Sequence, residues 1–250
     1  MKPLQSAIKL QATELGLPLF QPERIRNEDA QARIRDVGAD AMVVVAYGQI
    51  LPASLIEAPR LGTLNVHASL LPRHRGPAPI EWAILSGDTE TGLTIMKMNA
   101  GVDTGPILAQ ERVPIAPDET APRLEGRLAN LGGQLLVRTL DELANGRIQP
   151  IPQPVVGTTH APRLRSEDGK LDPGTMSAEE IDRRVRALGE RVGTWITLHG
   201  TELKVFRGHR DGDEGEGVPV QTTDGVYVID EVQPAGGRRM SAAAWARGRR

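Results

Sequence analysis

The sequence predicts an α/β fold built on a largely parallel sheet and followed by a smaller β-rich unit. Three observations carry this. The run Ala41-Met42-Val43-Val44-Val45-Ala46 is apolar throughout and of strand length. Without polar alternation, such a run reads as a strand buried on both faces of a parallel sheet. Strand-like segments then alternate with amphipathic helical ones as far as residue 145. Near residue 149 prolines accumulate, and beyond them short strands dominate.

The elements follow in order. Gln5 to Gly16 carries Ala7, Ile8, Leu10, Ala12 and Leu15 at roughly helical spacing, with Gly16 placed to end the helix. Leu17-Pro18-Leu19-Phe20 reads as a short extended piece, and Asn27 caps a helix bearing Ala30, Ile34 and Val37 that stops at Gly38. After the valine-rich strand come a strand at Leu64-Asn65-Val66-His67, a helix from Pro79 to Leu85, and strands at Leu93 to Met98 and Ile107 to Val113. From Ala121 to Asn145 the leucines 124, 128, 131, 135, 140 and 143 recur mostly three to five apart, a long amphipathic helix. Gln149 to Pro162 holds four prolines and no periodicity, so residues 149–164 are read as a linker between domains at 1–148 and 165–250. In the second unit Ser177-Ala178-Glu179-Glu180 forms a capping box ahead of a helix through Ile181, Val185 and Leu188. Trp195 to Leu198, His199-Gly200 and Leu203 to Phe206 read as a hairpin, and Val226 to Ile229 as a further strand of a partly open barrel.

Composition narrows the function. The 250 residues carry 30 Lys and Arg against 32 Asp and Glu, which leaves only local patches for any nucleic-acid contact. Aromatics at 3% argue against base-stacking platforms. The chain has no cysteine, which excludes thiol nucleophiles, disulfides and Cys-ligated zinc. No apolar run approaches the roughly 18 to 20 residues of a membrane helix, and no signal-peptide core follows Met1. A soluble cytoplasmic protein is expected.

Two clusters carry chemistry. In Asn65-Val66-His67-Ala68-Ser69-Leu70-Leu71-Pro72-Arg73-His74-Arg75-Gly76, Asn65 and His67 are two apart on a strand and share a face. An amide beside an imidazole stabilises an oxyanion and shuttles a proton, while a capped strand end explains the pair equally well. In Asn99-Ala100-Gly101-Val102-Asp103-Thr104-Gly105-Pro106, glycines around Asp103 mark a tight loop, from which the carboxylate can reach and orient His67 or simply make its own turn. The histidines show no metal-ligand spacing, so no metal is expected. Asp211-Gly212-Asp213-Glu214-Gly215-Glu216-Gly217 lacks the ligand order of an EF-hand and reads as a hairpin tip.

The runs Val45-Ala46-Tyr47-Gly48-Gln49-Ile50-Leu51-Pro52, Leu61 to Pro72 and Gly101-Val102-Asp103-Thr104-Gly105, in order and spacing, closely resemble the methionyl-tRNA formyltransferase family. The linker, Ser166-Glu167-Asp168-Gly169-Lys170 and the closing Met240-Ser241-Ala242-Ala243 extend the likeness over nearly the whole chain. The resemblance implies a Rossmann-like formyltransferase domain and an OB-like, tRNA-binding C-terminal domain. It implies formyl transfer from 10-formyltetrahydrofolate to the α-amine of methionyl initiator tRNA by a monomer. Asn65, His67 and Asp103 would be catalytic, and Ser69, Leu70, Leu71 and Pro72 folate-binding. Arg73 and Arg75, beside the folate-binding run, and Arg238 and Arg239, in a C-terminal stretch that also holds Arg247, Arg249 and Arg250, are candidate tRNA contacts. His74 stands where the family usually has an aromatic, most often tryptophan, and the second domain has Gly189-Glu190-Arg191-Val192 in place of the usual Asn-Pro-Trp-Pro.

The family usually begins with a strand, a Gly-Thr-Pro loop, a second strand and a basic loop. Lys2-Pro3-Leu4-Gln5-Ser6 resembles the tail of that loop, so the catalytic domain is expected to lack a central strand and to expose long apolar edges. Two alternatives follow: a related folate-dependent formyltransferase acting on a small amine or sugar nucleotide, or an inactive remnant that binds tRNA or folate weakly.

Overall fold

The structure is a computed structural model and describes residues 5–210 and 217–248. Lys2 to Leu4, the acidic tip at 211–216, and Arg249 and Arg250 lie outside the described residues. Helix α1 (Ala7–Glu14) is capped by Ser6, whose hydroxyl accepts from the Lys9 N–H. Helix α2 (Glu28–Arg35) follows Asn27 with Glu28 and Asp29 in its first turn and Arg33 and Arg35 in its last, the arrangement the helix dipole favours. Residues 17–20 join the two without forming a strand.

The first sheet runs in the order β1 (Met42–Val44), β2 (Thr63–His67), β3 (Glu90–Lys97), β4 (Ile107–Pro114). A single turn, α3 (Ala53–Ile56), lies between β1 and β2, and α4 (Pro79–Leu85) lies between β2 and β3. The α/β class holds, but parallel pairing is confined to β1 with β2; β2–β3 and β3–β4 are antiparallel. The loop 98–106 is too short for the crossover of a dozen or more residues that parallel neighbours need. The expectation of a doubly buried β1 also fails. Among the described residues it pairs only with β2, Val43 is 38% exposed and Val45 just beyond it 58%. Apolar content shows what a strand tolerates; the neighbours at hand decide what is covered.

Helix α5 (Ala121–Ala144) packs Leu124, Leu128 and Leu135 against Leu64, Leu93 and Ile95 of the sheet, with Ala83 and Ile84 of α4 completing the core. In the second unit the Ser177–Glu180 capping box opens α6 (Ala178–Leu188). Strands β5 (Thr194–Leu198), β6 (Thr201–Arg210), β7 (Val218–Gln221) and β8 (Val226–Pro234) form an antiparallel sheet in the order β5-β6-β8-β7. Strand β9 (Met240–Ser241) adds to β8 and leads into α7 (Ala242–Arg247). Between β5 and β6, His199 and Gly200 both have positive φ (48° and 74°), as a two-residue type I′ turn requires.

Helix α6 belongs to both cores. Ile181 and Val185 pack with Leu203, Val205 and Ile229 of the second sheet, whereas Ala187 and Leu188 pack into the first core. The proline-rich segment is also pinned to the first unit. Ile151 exchanges backbone hydrogen bonds with Ile107, Thr159 and Ala161 bond to Arg75, and the Trp82 indole N–H donates to the Pro162 carbonyl at 2.9 Å. Among the described residues no helix is long and apolar enough to cross a membrane.

Candidate active site

Strand β2 presents Asn65 and His67 from one face at its C-terminal end, and the loop after β3 brings Asp103 to them. Asn65 Nδ2 donates to Asp103 Oδ1 at 3.3 Å, and the Gly76 N–H donates to Asp103 Oδ2 at 2.8 Å. His67 Nδ1 lies 3.7 Å from that same Oδ2, with the imidazole buried. The three residues predicted to carry the chemistry thus meet at one point. Of the four described non-glycine residues with positive φ, two are here: His74 at 59° and Asp103 at 51°. Histidine and aspartate tolerate this region better than most side chains, yet it persists only where contacts enforce it.

The proton on His67 has a defined place. Its Nε2 is 2.9 Å from the His74 carbonyl oxygen. A carbonyl only accepts, so Nε2 carries the hydrogen, and in the neutral ring Nδ1 is a bare acceptor facing Asp103. The expectation that His67 donates to an oxyanion therefore holds only for the imidazolium form. Asn65 donates whatever the charge on His67.

Two groups that sequence reasoning missed hold this arrangement. Gln153, from the proline-rich segment, donates through Nε2 to the carbonyls of Asp103 (2.8 Å) and Gly105 (2.7 Å). Its Oε1 accepts from the Arg75 guanidinium at 2.6 and 3.1 Å. Asp88 accepts from Arg73 and, at 2.7 Å, from His74 Nε2. Burial alone would raise the Asp88 carboxyl, but the hydrogen bonds from Arg73 and His74 outweigh it and hold the group below its ordinary value. Burial lowers His74 from its ordinary value near 6.5, and Asp88 offsets this only in part. A lone polar residue between Pro152 and Pro154 was a faint signal for Gln153; Asp88 had none.

The loop Ser69-Leu70-Leu71-Pro72 is saturated internally. The Ser69 hydroxyl donates to the Arg73 carbonyl (2.6 Å), its own carbonyl accepts from the Thr94 hydroxyl (2.7 Å), and Gln110 donates to the Leu71 carbonyl (2.9 Å). Ser69 and Leu71 are buried, and Leu70 and Pro72 keep partial exposure. Gly76 closes the loop at φ 125°, where a Cβ would stand 2.5 Å from the Ala161 carbonyl oxygen, so only glycine fits.

The four predicted tRNA-facing arginines do not converge. Arg73 is turned to Asp88 and Arg75 to Gln153. In the second unit Arg239 bonds Glu231 and Glu190 and stacks on Phe206 at 4.1 Å, while Arg238 is exposed. Two open cavities lie nearby, about 370 Å³ lined by Leu70, Arg73, His74 and 87–91, and about 640 Å³ between α5, α6 and Arg239. Neither includes Asn65, His67 or Asp103, and converging polar groups, rather than concavity, mark the site.

Residues 2–140 match the formyl transferase family and residues 163–250 its C-terminal domain, which sets the class of the molecule. The methionyl-tRNA formyltransferase of Halorhodospira halophila is 45% identical over 97% of this chain and 82% of its own length. That of Myxococcus xanthus is 43% identical over 96% and 80%. The chain belongs to the methionyl-tRNA formyltransferase family. Among solved structures, Aquifex aeolicus HypX in complex with tetrahydrofolic acid superposes with a TM-score of 0.66 at 18% identity, covering 88% of this chain and 40% of HypX. The Helicobacter canadensis N-formyltransferase in complex with folinic acid and dTDP-3-aminofucose superposes at 0.67 and 17%, covering 96% and 85%. At such identity these two show the shared fold alone.

Proposed function

We infer that this protein transfers the formyl group of 10-formyltetrahydrofolate to the α-amine of methionyl initiator tRNA. The observation that carries this is the meeting of Asn65, His67 and Asp103 at one strand end, in a chain whose similarity to methionyl-tRNA formyltransferases extends along nearly its whole length. The folate, when bound, supplies the formyl carbon. The donor set fits such a group: an amide N–H, an imidazole nitrogen and a carboxylate face one point, with the rigid 69–72 loop beside them. Ser69 and Leu71 support that loop from within, and Leu70 and Pro72 offer its surface.

The chemistry follows from these groups. The attacking amine must be neutral and must lose a proton as its bond to the formyl carbon forms. Asp103 Oδ2 and His67 Nδ1, 3.7 Å apart, are two adjacent acceptors able to take that proton from an amine placed beside them. Such acid–base help is worth about 10²–10⁴ in rate. Asn65 Nδ2 stabilises negative charge on the formyl oxygen, worth about 10²–10³. Once His67 has become imidazolium, its Nδ1–H adds a second donor. As the bond between the formyl carbon and its donor nitrogen breaks, the proton taken from the amine passes to that departing nitrogen, so tetrahydrofolate leaves neutral and the site is restored.

A formylation assay with labelled formyl donor and charged initiator tRNA tests this, with uncharged tRNA, a small amine and an amino-sugar nucleotide as competing acceptors. Transfer to the charged initiator tRNA alone is expected. Transfer to the sugar nucleotide or small amine in its place, or no transfer to any acceptor, would overturn it.

A further inference from the structure

The cluster of Arg73, Asp88 and His74 borders the triad without entering the chemistry above. We propose that His74 is a positioning residue for His67: its buried imidazole, anchored on Asp88, fixes the main-chain carbonyl that keeps the His67 proton on Nε2. This rests on the formyl-transfer reading for what His67 does.

Residue 74 is held on three sides. Its side chain donates from Nε2 to Asp88 Oδ2 at 2.7 Å, and Asp88 is gripped from the other side by Arg73. Its backbone N–H donates to Thr159 Oγ1 at 2.8 Å, and the Arg73 carbonyl just before it accepts from Ser69 Oγ at 2.6 Å. Together these hold a non-glycine residue at φ 59°, a conformation that aims its carbonyl oxygen at His67 Nε2, 2.9 Å away.

The chemistry of the His74 ring suits a fixed anchor. Its Nδ1 is buried with no partner, so a second ring proton would be a buried N–H without an acceptor. The ring therefore stays neutral, with its one hydrogen on Nε2 and committed to Asp88. Two links thus lead to the triad: Asp88 orients His74, and the His74 carbonyl sets the tautomer of His67. If the anchor is lost the carbonyl is free to turn, and His67 can move its proton to Nδ1. A proton there closes the acceptor that faces Asp103, which slows proton removal.

The test uses the full chain labelled with ¹⁵N in its histidines, with His67→Asn to assign the His67 signals. Wild type is expected to show the Nε2–H pattern for neutral His67. His74→Asn tolerates the left-handed backbone but is too short to reach Asp88, and should give a tautomer mixture. Its kcat should fall about fivefold to tenfold, the factor set by one net hydrogen bond, with both KM values within about twofold. His74→Gln, whose amide nitrogen reaches the place of Nε2, should restore the tautomer and most of kcat. Should His74→Asn fail to fold, His74→Gly, which suits the positive φ, gives the same readout. A folded His74→Asn or His74→Gly with an unchanged His67 tautomer would overturn the proposal, as would a folded His74→Gln that restores nothing. A shifted tautomer in a chain whose wild type formylates no acceptor would instead overturn the formyl-transfer reading while supporting the link from His74 to His67.

Discussion

Asp103→Asn is the sharpest test of the site, because its effect follows from counting lone pairs. Both Asp103 oxygens accept N–H donors, Oδ1 from Asn65 and Oδ2 from the Gly76 backbone. An asparagine in the same rotamer has one acceptor oxygen, so one of these donors must face an NH₂ group. The backbone bond is the shorter, at 2.8 against 3.3 Å, and the Gly76 amide cannot turn away, so the new oxygen takes the Oδ2 position. The new NH₂ then confronts Asn65 Nδ2, and Asn65 must turn its amide over to accept through Oδ1, which takes its N–H out of the place it held. Exchanging hydrogen bonds to a carboxylate for neutral ones should destabilise the fold by only about 1 kcal/mol. The catalytic loss is far larger. Removing a base costs about 10²–10⁴ and misplacing an oxyanion donor about 10²–10³, and because the two effects overlap we expect kcat to fall about 10³. Steady-state formylation of charged initiator tRNA measures it. A double-mutant cycle with Asn65→Ala adds a check: in the Asp103→Asn background, removing Asn65 should cost little more, since its amide is already displaced. An Asp103→Asn protein that keeps more than about a tenth of wild-type kcat, or a cycle with fully additive losses, would refute this account of the site.

Gln153→Ala removes two donations that hold the carbonyls of the Asp103 loop, and should cost about 2 kcal/mol in urea unfolding at about 1 kcal/mol per bond, with kcat about tenfold lower. Unchanged kcat would show that the proline-rich segment does not hold the loop. Tyr227→Phe should raise stability by about 1 kcal/mol, because the Tyr227 hydroxyl is buried without a partner while its ring packs over Gly208; a loss would mean that the hydroxyl is satisfied in solution. His74 has its folded pKa lowered by burial, so below about pH 6.5 the unfolded chain takes up a proton that the folded chain refuses. Its contribution is therefore complete above that pH and is lost as pH falls through the folded value. Asp88, also lowered on folding, loses its contribution further down, from about pH 3.9 through its own folded value. Urea unfolding between pH 7 and 4.5 should show stability falling in wild type and a flatter profile in His74→Asn, and equal slopes would contradict this.

What was legible in the sequence was local. Period-two spacing put Asn65 and His67 on one face of β2, the capping box placed the start of α6, and His199-Gly200 marked a turn whose φ values are both positive. Each depends on residues within a few positions of one another. What was not legible depends on partners far along the chain. Gln153 lies fifty residues from Asp103, and nothing near it announces that its amide will bridge two carbonyls of that loop. Leu188 lies on the same stripe of α6 as Ile181 and Val185. Yet Ile181 and Val185 pack with the second sheet while Ala187 and Leu188 enter the first core, a division set by what each turn of the helix meets. The valine run showed a strand without showing how many neighbours it would have.

The distant contacts share a direction. Gln153, Thr159 and Ala161 all close on the 73–76 turn and the Asp103 loop, and α6 then locks the following unit to the first core. A segment with the composition of a flexible linker thus acts as the outer wall of the site, and its prolines serve a purpose there. They hold the chain extended with few unfolded alternatives, so Gln153 and Thr159 reach their acceptors at little entropic cost. The geometry at Asp103 therefore depends on the chain as far as residue 161, and cleavage within 152–158 should lower kcat even where both units stay folded.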